Sequence, residues 1–246
     1  MTAAGHEPPF ESSWDGHCPV CDRKTRFTSS NSWYRDFLLC RNCGSIPRER
    51  ALALTARNLG LFQTGQLVVH ESSPSNRAID RWLEQRAGTY HASHFFADVP
   101  RGEMRGPYRS EDLEQMTFED RSIDLHVSLD VMEHVFRPDL VFSEVRRTLK
   151  DGGTYLFTAP TYKHLVESVC RATLEDGKVN HLLEPEYHGN PISADGSLVT
   201  FHYGYDLPEL IRRWADLDTA VLRFNDRRHG VVGEFTEVYV VTKNPA

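Results

Sequence analysis

Residues Ile123 to Pro160 read IDLHVSLDVMEHVFRPDLVFSEVRRTLKDGGTYLFTAP, and this stretch decides the fold. Ile123 to Leu129 is short, apolar and partly β-branched, and an acidic loop follows it, as at the end of a buried strand. Pro138 suits the first turn of a helix, where its missing N–H is no loss. Leu140, Val141, Val145, Thr148 and Leu149 then recur at helical spacing, with Glu144, Arg146 and Arg147 on the other side. Gly152 and Gly153 stop the helix, and Thr154 to Thr158 reads as a second strand. The unit is βαβ, so the sheet is parallel here and its crossover right-handed. Ligands of such sheets sit beyond the carboxyl ends of the strands. Those ends carry Ser128, Asp130, Glu133 and His134, and after the second strand Thr158 to Thr161.

The ordered phrases D-L-x-x-x-x-D-V-M-E-H-V, E-V-R-R-T-L-K-D-G-G and T-A-P resemble class I S-adenosylmethionine (SAM)-dependent methyltransferases of the type 11 kind. The resemblance spans roughly Leu67 to Thr242 and implies an α/β fold: a Rossmann-like, seven-stranded methyltransferase sheet with SAM as cofactor. It places a first strand over Leu67 to His70, a helix from about Pro74 to Ala87, and a second strand over Thr89 to Phe95. Two departures from the family pattern stand out. His70 takes the place of the acid at the end of the first strand, and Ser72, Pro74 and Asn76 take the glycine places after it. Ser93 and His94 stand where an acid would hold the ribose. Cofactor contacts implied by the resemblance are His70, Glu71, Ser72, Ser73, Ser93, Ser128 and Asp130, with Asp112 on the adenine amino group and Leu113 against the ring. Backbone N–H groups at the helix N-terminus would meet the methionine carboxylate.

In front of this domain stand Cys18-Pro-Val-Cys21 and Cys40-Arg-Asn-Cys43, with 18 residues between the pairs. Two such turns place four thiolates on one tetrahedral ion, so Cys18, Cys21, Cys40 and Cys43 read as a closed, structural Zn²⁺ site. Two disulfides or a redox dithiol are the competing readings; a reducing compartment and the lack of a thioredoxin-like setting disfavour them. The expected division is a flexible lead over 1–16, a zinc ribbon over 17–46, and a methyltransferase domain over 47–246. On spacing alone the ribbon is separable: its loss should leave residues 67 to 242 largely folded. Trp33, Tyr34, Phe37 and Leu38 suggest a small hairpin over the metal. Residues 18 to 50 hold seven Lys or Arg against three Asp or Glu. That surplus suits either RNA contact or a solvated cap over the active site.

Ser45 and Pro47 open a helix to about Leu59. Tyr162 to Leu174 has apolar residues at 165, 166, 169, 170 and 173 and reads as a helix, with Cys170 a buried small hydrophobe. The following insertion, about 175–205, is long, aromatic and rich in His, the composition of a functional lid rather than of a disordered segment. Asp206, Pro208 and Glu209 start another helix, and strands near 219–225 and 235–242 close the sheet.

The composition is that of a soluble globular chain: 246 residues, 26% charged, 39% hydrophobic, formal charge −7. That charge argues against a global attraction to nucleic acid or an anionic membrane. No apolar run approaches the roughly 20 residues of a spanning helix, and the first 20 residues lack a signal-peptide core, so a cytoplasmic location is expected. The expected reaction is methyl transfer to an O or N nucleophile of a small-molecule or glycan acceptor, with His134 and His188 as catalytic bases. Two other readings stay open: an RNA methyltransferase that uses the ribbon on RNA, and a non-catalytic zinc adaptor on a degenerate fold.

Overall fold

The computed structural model describes residues 11–190 and 193–245. Strands β1 (Ser12–Cys18), β2 (Arg23–Ser29) and β3 (Leu39–Cys40) form a three-stranded antiparallel sheet, with a one-turn helix α1 (Tyr34–Phe37) before β3. Most of the described lead is therefore ordered from Ser12 onward, because β1 pairs with β2 along its whole length. The expected flexibility of residues 1–10 lies outside the described residues. The hairpin spans the first Cys pair rather than the segment between the pairs, and Trp33 to Phe37 turn as α1.

Helix α2 (Pro47–Asn58) follows, its first turn closed by Glu49, whose carboxylate accepts the Ile46 N–H at 3.1 Å. Then come β4 (Val68–Ser72), α3 (Ala78–Glu84), β5 (Thr89–His94), β6 (Met104–Arg105), β7 (Tyr108–Ser110), β8 (Ile123–Leu129), α4 (Pro138–Thr148) and β9 (Leu149–Thr158). After two-residue β10 (Val169–Cys170) stand β11 (Ala172–Glu175), β12 (Lys178–His181), β13 (Tyr187–Asn190), β14 (Ser193–Leu198) and β15 (Phe201–His202). Helix α5 (Leu207–Ala215) and strands β16 (Asp218–Leu222) and β17 (Val238–Thr242) complete the chain.

The main sheet has the order β16-β17-β9-β8-β4-β5-β7-β6, with β17 antiparallel to β9 and the five strands from β9 to β7 parallel. Seven strands are those the sequence implies; the eighth, β6, is a two-residue edge. Strand order reverses between β4 and β8, so the crevice of the sheet opens above the ends of these two strands. The two faces alternate along each strand. On β9 and β17, Tyr155, Phe157, Tyr239 and Val241 pack with α4 and α5, while Leu156 and Val240 face α2 and α3.

The ribbon packs against the sheet domain in one continuous core. Cys18, Val20, Phe27, Leu38 and Cys40 share one hydrophobic cluster with Leu52, Ala53, Ile79 and Trp82 and with Val69, Leu125 and Val127 of the sheet. Arg50 joins the two. Fully buried, its guanidinium donates to Leu38 O at 2.9 Å, to Gly230 O at 2.7 and 3.1 Å, and to Ser45 O, and lies 4.6 Å over the Phe27 ring. Burial pulls the Arg50 pKa down to about 10. Gly230 is required there: its φ is +65°, and a Cβ would stand 2.8 Å from the Phe27 ring.

The expected helix over 162–174 does not form. The segment is a loop followed by β10 and β11, and β11 pairs with β12. The helical spacing there was coincidental, since Val166 is 76% exposed and the β-branched Val169 and Thr173 lie in strands. Cys170 is half-buried rather than a core residue, with its thiol 3.4 Å from Ala172 O.

Candidate active site and metal centre

A cavity of about 970 Å³ opens above the ends of β4, β5 and β8. Strand alternation decides which side chains reach it. Glu71, Ser72 and Ser73 do, whereas His70 points into the layer below, with its two ring nitrogens 2.8 Å from His126 Nδ1 and 2.8 Å from Ser93 Oγ. The sequence register was thus one residue early: Glu71, not His70, is the acid at the end of the first strand, which runs two residues longer than expected. Ser93 is spent on His70, and Ser128 is buried 2.6 Å from the Tyr155 hydroxyl, so neither lines the cavity. His94, the next residue, does. Ser73 and Asn76 adopt φ of 55° and 58°, so non-glycine residues make the turns that glycines would ease. Helix α3 starts later than expected, and Asp80 accepts the Arg77 N–H at 2.6 Å.

Electrostatics separate the acids around the cavity. Burial, reinforced by Asp80, pushes the Glu71 carboxyl well above the usual carboxylate range, although the Tyr90 hydroxyl donates to it. Asp130 behaves oppositely. Burial would raise it, but the guanidinium groups of Arg48 and Arg35 hold it below its ordinary value. Arg48 Nε lies 3.0 Å away, Arg35 is also paired with it, and Thr158 Oγ1 donates at 2.9 Å. The same two arginines pair with Asp36. Arg35 and Asp36 belong to the ribbon, so this network holds the ribbon over the cavity. Neither arginine was singled out from the sequence, although P-R-E-R stands at the start of α2.

At the adenine end expected from the resemblance, Asp112 and Leu113 line the cavity, and Asp112 Oδ1 accepts the Glu114 N–H at 2.9 Å. Around its rim, Trp33 and Phe235 meet at 6.1 Å, Phe235 and Tyr162 at 5.4 Å, and Tyr162 stacks on His202 at 4.1 Å. The hairpin of β13 and β14 brings His188, Gly189, Ser197 and Leu198 to the same space. Its root is fastened: Thr200 N–H donates to Glu133 O at 2.8 Å and Thr200 Oγ1 to Val135 O at 2.6 Å.

His134 and His188 come together, their rings edge to face at 5.4 Å. Behind them lies Glu133, quoted in the sequence motif but given no role there. Its side chain is buried, and burial with the nearby Asp130 charge pushes its carboxyl well above the usual range. Burial lowers the His134 pKa, so that imidazole is neutral near pH 7.

The four ribbon cysteines are free thiols within 4.8 Å of one another, with Cys18 and Cys43 at 3.7 Å and Cys21 and Cys40 at 3.9 Å. Tetrahedral bonds of 2.3 Å to one zinc ion put sulfurs about 3.8 Å apart, so the set matches a closed tetrathiolate site. Ser45 and Thr25 hydroxyls stand 3.3 Å from Cys18 and Cys40. Among the described residues, no helix is long and apolar enough to cross a membrane.

Residues 75–157 match the family model described as Methyltransferase domain. No curated protein matches the chain. Among solved structures, the chain is similar to the S-adenosylmethionine dependent methyltransferase from Mesorhizobium loti, at 14% identity and a TM-score of 0.51 over 78% of this chain and 96% of that one. It is likewise similar to DesVI of Streptomyces venezuelae, at 11% identity and a TM-score of 0.51 over 81% of this chain and 92% of that one. A crevice at the strand-order reversal and these likenesses agree: residues 75–157 match a methyltransferase domain, and the chain has the fold of these methyltransferase structures.

Proposed function

We propose that this enzyme transfers the SAM methyl group to a hydroxyl of a small-molecule or glycan acceptor, under a zinc-bound ribbon and a hairpin lid over about 175–205. The observation that carries this reading is the pair His134 and His188, facing the cavity from the strand end and from the hairpin. SAM, when bound, supplies an activated methyl on a sulfonium. The chain's donor set fits it: the turn at Ser73 for the methionine end, His94 for the ribose hydroxyls, Asp112 and Leu113 for the adenine. The protein's own work is alignment, exclusion of water and removal of the acceptor proton. His134 holds its Nδ1–H on Leu198 O at 2.8 Å, which leaves Nε2, 3.9 Å from Glu133 Oε1, as the basic nitrogen of the ring.

The structure also bears on the RNA reading. Arg35, Arg48 and Arg50 are turned inward onto Asp130, Asp36 and backbone carbonyls, so part of the ribbon's basic surplus is internal. This favours a cap over a nucleic-acid surface. Calorimetry with SAM and S-adenosylhomocysteine tests the cofactor; absence of binding would leave the non-catalytic adaptor.

Two substitutions follow. Asp112→Ala should weaken SAM by the cost of one lost buried partner, about 1–3 kcal/mol, read as a rise in Kd; an unchanged Kd would move the adenine elsewhere. His188→Ala should bind SAM normally and lose about 10²–10⁴-fold in turnover with a responsive acceptor. Wild-type turnover in that variant would remove His188 from the chemistry.

A further inference from the structure

We propose that Glu133, His134 and His188 form a divalent-cation site at the acceptor end of the cavity; its catalytic role rests on the methyl-transfer reading above, its metal binding does not. Glu133 Oε1 lies 3.9 Å from His134 Nε2 and 3.9 Å from His188 Nδ1, and one ligand atom from each residue falls within 4.8 Å of the others. The tautomers follow from the outer partners. His134 Nδ1 faces a carbonyl at 2.8 Å and His188 Nε2 faces Glu186 Oε1 at 3.2 Å. Both partners only accept, so both outer nitrogens carry the hydrogen. The inner nitrogens then turn their lone pairs to the Glu133 carboxyl.

Glu133 is 1% exposed, and neither of its carboxylate oxygens has a hydrogen-bond partner among the described residues. Buried carboxylate oxygens are ordinarily satisfied. A cation can take the place of the proton that the buried Glu133 carboxyl otherwise keeps, with the two imidazole nitrogens completing its ligands.

The outer contacts are those of metal ligands. A ligating histidine typically gives its other N–H to a carboxylate or a backbone carbonyl, which fixes ring and tautomer; His188 has the first and His134 the second. Two imidazoles and one carboxylate suit first-row divalent ions such as Zn²⁺, Mn²⁺ or Fe²⁺, while Mg²⁺ prefers oxygen. Bonds of about 2.0–2.1 Å in a tetrahedral site separate ligand atoms by about 3.3 Å. The 3.9 Å spacings therefore close by about half an ångström on binding, with His188 on a half-exposed hairpin.

Three protein ligands leave positions open, and because His134 and His188 line the cavity those positions face the acceptor. The substrate class is one that chelates: a hydroxyl beside a second oxygen, as in a vicinal diol or an α-hydroxy carbonyl. The metal-bound hydroxyl releases its proton to solvent. Its oxygen forms the new C–O bond as the C–S bond breaks, and that electron pair stays on sulfur, discharging the sulfonium. In this arrangement the two histidines of the methyl-transfer reading act on that proton through the ion they hold.

The test uses full-length protein with zinc in the ribbon and Co²⁺ as the titrated probe, followed by its visible absorption. One further equivalent should bind with weak ligand-field bands and no thiolate charge-transfer band, and E133Q and H188A should each lower its affinity at least tenfold while SAM still binds. No cobalt uptake by wild-type protein that binds SAM overturns the site, as does equal uptake by both variants. Should E133Q not fold, H188A decides alone, since its ring sits on the hairpin. Cobalt binding without methyl transfer to any chelating acceptor would sink the methyl-transfer reading and leave the metal site standing. Transfer at equal rates with and without chelator would overturn the activating role.

Discussion

Cys40→Ser is expected to release the zinc proposed for the ribbon and to abolish the cooperative folded state of most of the chain. Binding of a structural zinc contributes about 10–16 kcal/mol in isolated finger peptides, against a total stability of about 5–15 kcal/mol for a typical domain. A free ribbon would absorb that loss alone. Here Cys40 and Cys18 lie in the same cluster as Leu52, Val69, Trp82 and Leu125, and Arg50 ties Leu38 O to Gly230 O. Melting the ribbon strips one face of α2 and strands a buried guanidinium without its carbonyls, which is costly in itself. Metal analysis paired with thermal unfolding followed by circular dichroism makes the test. A variant without zinc that keeps the wild-type Tm would show that the metal contributes nothing to the fold; one that loses only the ribbon, with residues 67 to 242 intact, would refute the shared core.

The second large effect is expected for Asp130→Ala. Asp130 sits under Arg35 and Arg48, with side-chain exposures of 14%, 12% and 20%. Removing one partner of a buried ion pair leaves the other charge uncompensated, at about 3–5 kcal/mol. The loss should appear as a lower denaturation midpoint in urea without a change of slope. The pH dependence has a definite sign. Asp130 and Asp36 both titrate below their ordinary values in the folded protein, burial notwithstanding, because of the two arginines. Their contribution is therefore complete above the unfolded carboxylate pKa of about 3.9 and is lost as pH falls through the lower folded values. Asp130→Ala should lose less stability than the wild type on acidification below about pH 4. Parallel loss in both proteins would show that Asp130 is not the linked group.

The sequence by itself determined the layered α/β fold. The run Ile123 to Pro160 became β8, α4 and β9, because the apolar spacing and the helix-opening Pro138 are local properties of the chain; the glycines do not stop the helix, since α4 ends at Thr148 and Gly152, at a φ of 77°, lies within β9, which starts at Leu149. The paired C-x-x-C turns were equally legible, since two short turns need only one long-range approach to bring four thiols together. Tertiary structure decided what depended on side-chain direction and on contacts distant in sequence. One residue of register at β4 exchanged His70 for Glu71, because successive strand side chains point to opposite faces. The helical spacing over 162–174 gave way to hairpins, because a short apolar pattern carries no information about what covers it. Arg35 and Asp130 are 95 residues apart, and no local signal announces their pairing. Glu133, His134 and His188 likewise meet only because Thr200 fastens the second hairpin to the loop after β8. An orphaned carboxylate between two oriented imidazoles is a property of packing, so the sequence could supply the residues of that site and only the fold could supply their convergence.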